Sequence, residues 1–197
     1  METLWRRLES WIRENAPEIL ATLQPGATTE ELQQAEDELR VALPKSVRDF
    51  YRIHNGQATD KYGFTAQMFL YGWQVPNLKR VVHQWKGWKE VLERGAFQGV
   101  RSTPDKGVRN DWWNVKWIPV TQNASGDHLC IDLAPAKGGA VGQMISVWHD
   151  APERSIVGAS FQEWVERFAT GLEKGAYVYS KSYGGIIEAA EASYYDS

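Results

Sequence analysis

The order in which hydrophobic periods follow one another limits what this chain can fold into. Stripes of helical spacing fill its first half, runs of strand character come next, and one more helical stripe follows them. Alternating strand–helix–strand units would favour a parallel sheet. Helices grouped apart from strands instead favour a single α+β domain, with helices packed on a mixed or antiparallel sheet.

Leu4, Trp5, Leu8, Trp11 and Ile12 mark one face of a first helix, which Pro17 and Pro25-Gly26 interrupt. A second begins near Thr28, where Thr28 and Glu31 have capping-box spacing, and carries Leu32, Ala35 and Leu39. Pro44 suits the first turn of a third, with Val47, Phe50, Tyr51 and His54 on one face and Asn55-Gly56 as a left-handed stop. The aromatic run from Thr65 to Trp73 reads as one short strand. A fourth helix from about Asn77 holds Leu78, Val81, Val82, Trp85, Trp88 and Leu92, and ends at Gly95 and Gly99. A late helix opens at Ser160, with Glu163 completing a second candidate box and Phe161, Trp164, Val165, Phe168 and Leu172 as its stripe.

Between these helices, three strands are expected. Trp117 to Gln122 is the first, and Pro119 marks it as an edge or a strand start. His128 to Leu133 alternates Leu129, Ile131 and Leu133 against His128, Cys130 and Asp132. Met144 to His149 is the third. The turn-rich segments Asn123–Asp127 and Pro135–Gly142 would join them as antiparallel hairpins. Val100 to Asn114 has no period and reads as an exposed loop with Asp111-Trp112-Trp113 at its tip. The tail from Ile186, with Glu188, Glu191 and Asp196, reads as a loosely held acidic end.

A net charge of −3 gives no basic excess for nucleic-acid binding. No segment is apolar for long enough to span a bilayer, and METLWRRLESW has no signal-type run. The single cysteine, Cys130, permits no internal disulfide and fits a reducing compartment, so the expected location is cytoplasmic.

The residues with chemical potential have structural readings. His54, His83, His128 and His149 come in no metal-ligand motif, although His128 with Asp132, or His149 with Asp150, would converge if their strands were neighbours. No metal and no cofactor is expected. Cys130, mid-strand between apolar neighbours, reads as an inert thiol. The run Lys137 to Gly142 lacks the Lys-Ser/Thr ending and helix of a phosphate loop and reads as a hairpin turn. Asp127 with Asp132, and Asp150 with Glu153, are carboxylate pairs with no sign of a cleft between them. Trp112 and Trp113 have two open readings: anchors for a partner, or side chains folded back on the core.

Four stretches then resemble the founding branch of the SUKH superfamily. They are LPKSVRDFYRIHNGQ (Leu43–Gln57), WIPVTQNASGDHLCIDLAP (Trp117–Pro135), GGAVGQMISVWHD (Gly138–Asp150) and SFQEWVERFATGLEKG (Ser160–Gly175). The resemblance implies a SUKH-like domain over 28–175, with an N-terminal helix and linker at 1–27 and a C-terminal extension at 176–197. It implies a non-enzymatic binding function in one of two settings. One is a bacterial immunity protein that neutralises a cognate toxin, possibly a nuclease; the alternative is a regulator or scaffold of cell-wall β-glucan synthesis. In the first, Asp111, Trp112 and Trp113 would anchor the toxin, and Asp127, Asp150 and Glu153 would steer it electrostatically. A hydrolase using paired carboxylates is the remaining alternative. The WKGWK segment, the loop before Trp117 and the acidic tail depart from the family pattern and are where partner-specific surfaces are expected.

Overall fold

The structure is a computed structural model that describes residues 1–196. Its N-terminal half is helical: α1 (Glu2–Asn15), α2 (Pro17–Leu20), α3 (Thr29–Leu39), α4 (Lys45–Ile53) and α5 (Leu78–Glu93). Then come β1 (Thr103–Pro104), β2 (Trp117–Pro119), β3 (His128–Asp132), β4 (Gln143–Val147), β5 (Glu153–Arg154), β6 (Ile156–Gly158) and α6 (Phe161–Glu173). The hairpin β7 (Tyr177–Ser180) and β8 (Gly185–Glu188) follows, then a single 3₁₀ turn and the short helix α7 (Ala192–Tyr195). The main sheet has the order β2-β3-β4-β6, antiparallel throughout. The architecture is α+β, as the order of periods indicates.

The helices start where their side chains can cap them. Glu31 N–H donates to Thr28 Oγ1 at 3.1 Å and Thr28 N–H donates back to Glu31 Oε2 at 3.0 Å. The second candidate box is only half formed. Glu163 N–H donates to Ser160 Oγ, but the Glu163 carboxylate reaches past Ser160 to the Ala159 N–H at 3.2 Å. Asn77 caps α5 through the Arg80 N–H. At the end of α4 the left-handed residue is Gly56; His54 is extended and leaves the helix, so its ring turns to the Gln24 carbonyl and the Glu9 carboxylate, 2.9 and 2.7 Å away.

The core is aromatic. Trp5 packs on Phe50 with ring centroids 4.7 Å apart, and Phe50 meets Phe161 edge-on at 5.1 Å. The Trp5 indole N–H donates to the Phe50 carbonyl, so this large side chain is buried with its polar atom satisfied. Strands β3 and β4 are buried along their whole length. The alternation in β3 is therefore one of chemistry and not of exposure, because both faces of the sheet's centre are covered. Pro119 lies in β2, at the sheet edge.

Three segments differ from expectation. Thr65–Trp73 forms no regular strand: Tyr71, at φ 53°, turns the chain tightly so that Phe69 N–H donates to the Trp73 carbonyl. Val100–Asn114 is not an exposed loop. Thr103-Pro104 pairs in parallel with Glu153-Arg154, Ile156 N–H donates to the Asp105 carboxylate at 2.8 Å, and Val108 and Trp113 are buried. The acidic tail is not loosely held either. Ile186 and Ile187 are buried, β8 pairs with β7, and Ser180 Oγ donates to Asp196 at 2.8 Å; Ser197 lies outside the described residues. The glycine-rich hairpin is a point of close backbone approach, where a Cβ on Gly139 would come within 2.1 Å of the Gly107 carbonyl oxygen.

Candidate functional site

Helix α5 presents two adjacent rows. Val81, Val82 and Trp85 face inward and are buried. Beside them Arg80, Gln84, Gly87 and Val91 follow at helical spacing along one wall of an open groove of about 740 Å³. The opposite wall is the Asn123–Gly126 turn between β2 and β3 with His128 and His149; Phe64 and Phe97 complete the lining. Gly87 leaves open space along this wall, since a Cβ there would meet nothing within 4 Å. Trp88 is backed by Trp113, with rings nearly parallel and centroids 6.1 Å apart, and flanked by Phe97 at 5.9 Å. The volume and the mixed lining are those of ligand and peptide sites.

Gln122 organises the polar end. Its amide N–H groups donate to the Gly63 carbonyl and to Gln74 Oε1, both at 2.7 Å. Its Oε1 accepts from Arg80 Nε at 3.2 Å and from the Gln84 amide. The Gln84 Oε1 is buried and has no hydrogen-bond partner among the described residues. An unpaired buried acceptor costs free energy.

The two histidines of the groove differ electrically. Burial pushes His128 down to about 4, partly opposed by its hydrogen bond to the Thr121 carbonyl, so its ring is neutral. The hydrogen bond to Asp127, 2.9 Å long, raises His149 above its ordinary value. Burial resists ionisation of Asp127, but hydrogen bonds from Asn123 and His149 outweigh it and hold its carboxyl below the usual range.

The six residues marked from sequence do not gather on one surface in one role. Asp111 pairs with Arg109 at 2.8 Å and accepts from Asn114. Trp112 is half-buried beneath the Arg154 guanidinium, 5.1 Å from its ring, and touches Phe97 at 6.4 Å. Trp113 is 2% exposed and lies in the core; of its two readings, the structure takes the side chain folded back. Asp127, 6% exposed, holds the His149 N–H and ring together. Asp150 and Glu153 are exposed. Asp127 and Asp150 do come together around His149, their ligand atoms within 4.8 Å of one another. The His149 Nδ1 and the Asp127 carboxylate already bond each other, which competes with any ion. His128 and Asp132 do not converge: Asp132, its pKa raised by burial, accepts from Ala134 N–H and from Gln143. Cys130 is fully buried, and burial pushes its thiol well above the ordinary range, so it is no nucleophile.

Sequence reasoning missed Gln84, Gly87 and Gln122. A signal for Gly87 was present: it sits mid-helix in Trp85-Lys86-Gly87-Trp88-Lys89, where glycine costs helical stability and so marks another use. The buried amides had no such mark.

Among the described residues no helix is long and apolar enough to cross a membrane. The profile of the SMI1 / KNR4 family (SUKH-1) matches residues 26–167. The chain is similar to the Cell wall assembly regulator SMI1 of Saccharomyces cerevisiae, 27% identical over 207 residues, covering 88% of this chain and 41% of that protein. It is similar to the Cell wall biosynthesis/cell cycle regulator smi1 of Schizosaccharomyces pombe, 27% identical over 186 residues, with 88% and 36% covered. The Glucan synthesis regulatory protein of Neurospora crassa is 24% identical over 207 residues, with 88% and 38% covered. The chain thus spans about two fifths of the length of these curated relatives, whose names are those of regulators and not of enzymes. With the profile covering most of its length, the chain belongs to the SMI1 / KNR4 family (SUKH-1).

Proposed function

We propose that this chain is a non-enzymatic protein-binding module with a regulatory role in cell-wall glucan synthesis, and that it receives a segment of its protein partner in the groove over Gly87. The observation that carries the docking site is the open space above Gly87 beside the apolar Trp88, Val91 and Phe97. The occupant is an extended peptide that lays an apolar side chain between Trp88, Val91 and Phe97. The regulatory setting rests on the names of the relatives. The toxin-neutralising setting has less support. Trp113 is buried and Asp127 is held by His149, which removes two of the six residues that a toxin would have met. A carboxylate hydrolase has less still, because the Asp127 carboxylate accepts from the Asn123 amide and the His149 N–H, and that of Asp132 from the Ala134 N–H, bonds that hold turns in place.

The test is a deletion strain assayed for wall β-glucan. The wild-type gene is expected to restore the wall and Gly87→Arg is not, with the urea midpoint of the purified variant no lower than that of the wild type. Equal rescue by Gly87→Arg removes the groove from the function. An unaltered wall on deletion, together with direct binding of a toxin domain, removes the regulatory reading.

A further inference from the structure

A second concavity lies far along the chain from the groove, where the turn at Tyr71 meets the C-terminal hairpin. Tyr71, Tyr177, Tyr183 and Tyr195 line it with Glu188 and Glu191, over apolar Ile186 and Ile187. Its volume is about 240 Å³, below the range of drug-sized sites and suited to a small headgroup. The rings cross in pairs. Tyr71 meets Tyr177 edge-on at 5.2 Å and 83°, and Tyr183 meets Tyr195 at 5.0 Å and 62°. Several bonds fix these walls. The Tyr71 hydroxyl donates to the Trp164 carbonyl at 3.1 Å, Tyr183 N–H donates to Ser180 Oγ, and the same hydroxyl ties down Asp196. Tyr177 and Glu188 are direct cross-strand partners, so the β7–β8 register itself sets a ring beside a carboxylate.

The charges have no internal explanation. Among the described residues Glu188 and Glu191 form no ion pair. The nearby Arg167 is engaged elsewhere, with Glu163 at 3.3 Å, the Val157 carbonyl and the Tyr71 hydroxyl. Two uncompensated carboxylates at an aromatic-walled pocket repel each other and attract a cation. Tyrosine rings attract cations through their quadrupole and, unlike water, tolerate alkyl groups on them. A bare metal ion would want several oxygen or nitrogen ligands at once, and among the described residues no third carboxylate, histidine or cysteine joins Glu188 and Glu191 at ligand distance.

We propose that this pocket binds an organic ammonium group, its carbons against the tyrosine rings and its charge balanced by Glu188 and Glu191. The ammonium is either a free quaternary headgroup or a lysine side chain of a protein partner, methylated or not. This inference does not rest on the groove.

The test follows backbone amides of Gly72, Ile186, Ile187 and Glu188 by NMR in the full chain. The titrants are choline, Nα-acetyl-lysine amide and its trimethylated form, each against matched sodium chloride. Saturable shifts at these amides are expected, with half-saturation on the order of 1 mM for the best titrant, whose identity separates the sources. The Glu188→Gln/Glu191→Gln double variant is expected to weaken binding about tenfold, and both side chains are exposed, so the fold survives. Tyr183→Phe is expected to bind as wild type and Tyr183→Leu to lose binding. Equal binding of the neutral isostere 3,3-dimethylbutan-1-ol, an unweakened double variant, or no saturable shift at these amides with any titrant overturns the proposal.

Discussion

Arg154 grips the main-chain carbonyl of Trp112 with two N–H groups, at 2.7 and 3.3 Å, and lies over the same residue's ring. It also donates to the Ala151 and Glu153 carbonyls, at 2.8 and 2.7 Å. The side chain is fully buried without a carboxylate partner, and burial lowers its pKa to about 10, still charged at neutral pH. All of its hydrogen bonds go to carbonyl oxygens, and these come from both segments that it joins.

Removing the fork leaves these carbonyls unpaired in the interior. Arg154→Met is expected to destabilise by about 3 kcal/mol, and Arg154→Lys, which cannot reach both segments with a planar fork, by about 2 kcal/mol. Urea unfolding followed by tryptophan fluorescence checks both. An unchanged midpoint in Arg154→Met means that the loop is held by its own packing.

Gly87 stands mid-helix with no neighbour to crowd a Cβ. Gly87→Ala is therefore expected to stabilise by about 0.5–1 kcal/mol, through helix propensity alone, and to raise Tm by about 1–4 °C. Calorimetry measures it. The combination of a gain in stability with a loss of partner affinity is the mark of a glycine retained for its empty space.

The two groove histidines push acid stability in opposite directions, and magnitude decides between them. His128 has its pKa lowered to about 4, so between the ordinary value near 6.5 and 4 the unfolded chain binds the extra proton and stability falls as pH falls. A gap of that size amounts to about 3 kcal/mol. His149 has a raised pKa. Its contribution is fully present below about 6.5 and is lost as pH rises through the folded value. Asp127, lowered, contributes above about 4 and loses this as pH falls further. The His149 side chain is 42% exposed, and screening keeps that pair under about 1 kcal/mol. Net stability is thus expected to drop from pH 7 to pH 4, and His128→Gln to flatten most of the drop. Urea midpoints across this range test it; a wild-type curve that rises towards pH 5 would mean that the exposed pair dominates.

Gly139 and Gly107 approach too closely for any side chain between them. Gly139→Ala is expected to cost about 1–3 kcal/mol by forcing the hairpin off the Val100–Asn114 segment, with lowered urea midpoint and increased amide exchange at Ala136, whose N–H donates to the Gly107 carbonyl.

What was legible in the sequence is what is decided locally. The Thr28 box, the Asn77 start of α5 and the stripe of α6 depend on residues three or four apart, and they stand where the spacing puts them. Val100–Asn114 was not legible, because polar composition says nothing of an arginine some forty residues on that binds the Trp112 carbonyl. Thr65–Trp73 has strand composition, but a left-handed Tyr71 overrides it. The groove was half legible: WKGWK stood out, whereas Gln122 and Gln84 find each other only once β2 packs beside α5. The tyrosines of the second pocket come from three separate parts of the chain, so no local pattern announces them.

The bidentate contact of Arg7 with Glu173, at 2.7 and 2.6 Å, joins residues 166 positions apart. Around it α1 packs on α6, and Trp5, from the first turns of the chain, sits among α4 residues that also meet Phe161. During synthesis, then, the opening helix emerges from the ribosome with its apolar face uncovered. Its α4 side can be covered early, but the part that packs on α6 must wait for nearly the whole domain to be translated. At roughly 5–20 residues per second that wait is on the order of ten seconds or more. Over that interval the part of the α1 face that α6 will cover is open to chaperones and to its own copies on neighbouring nascent chains.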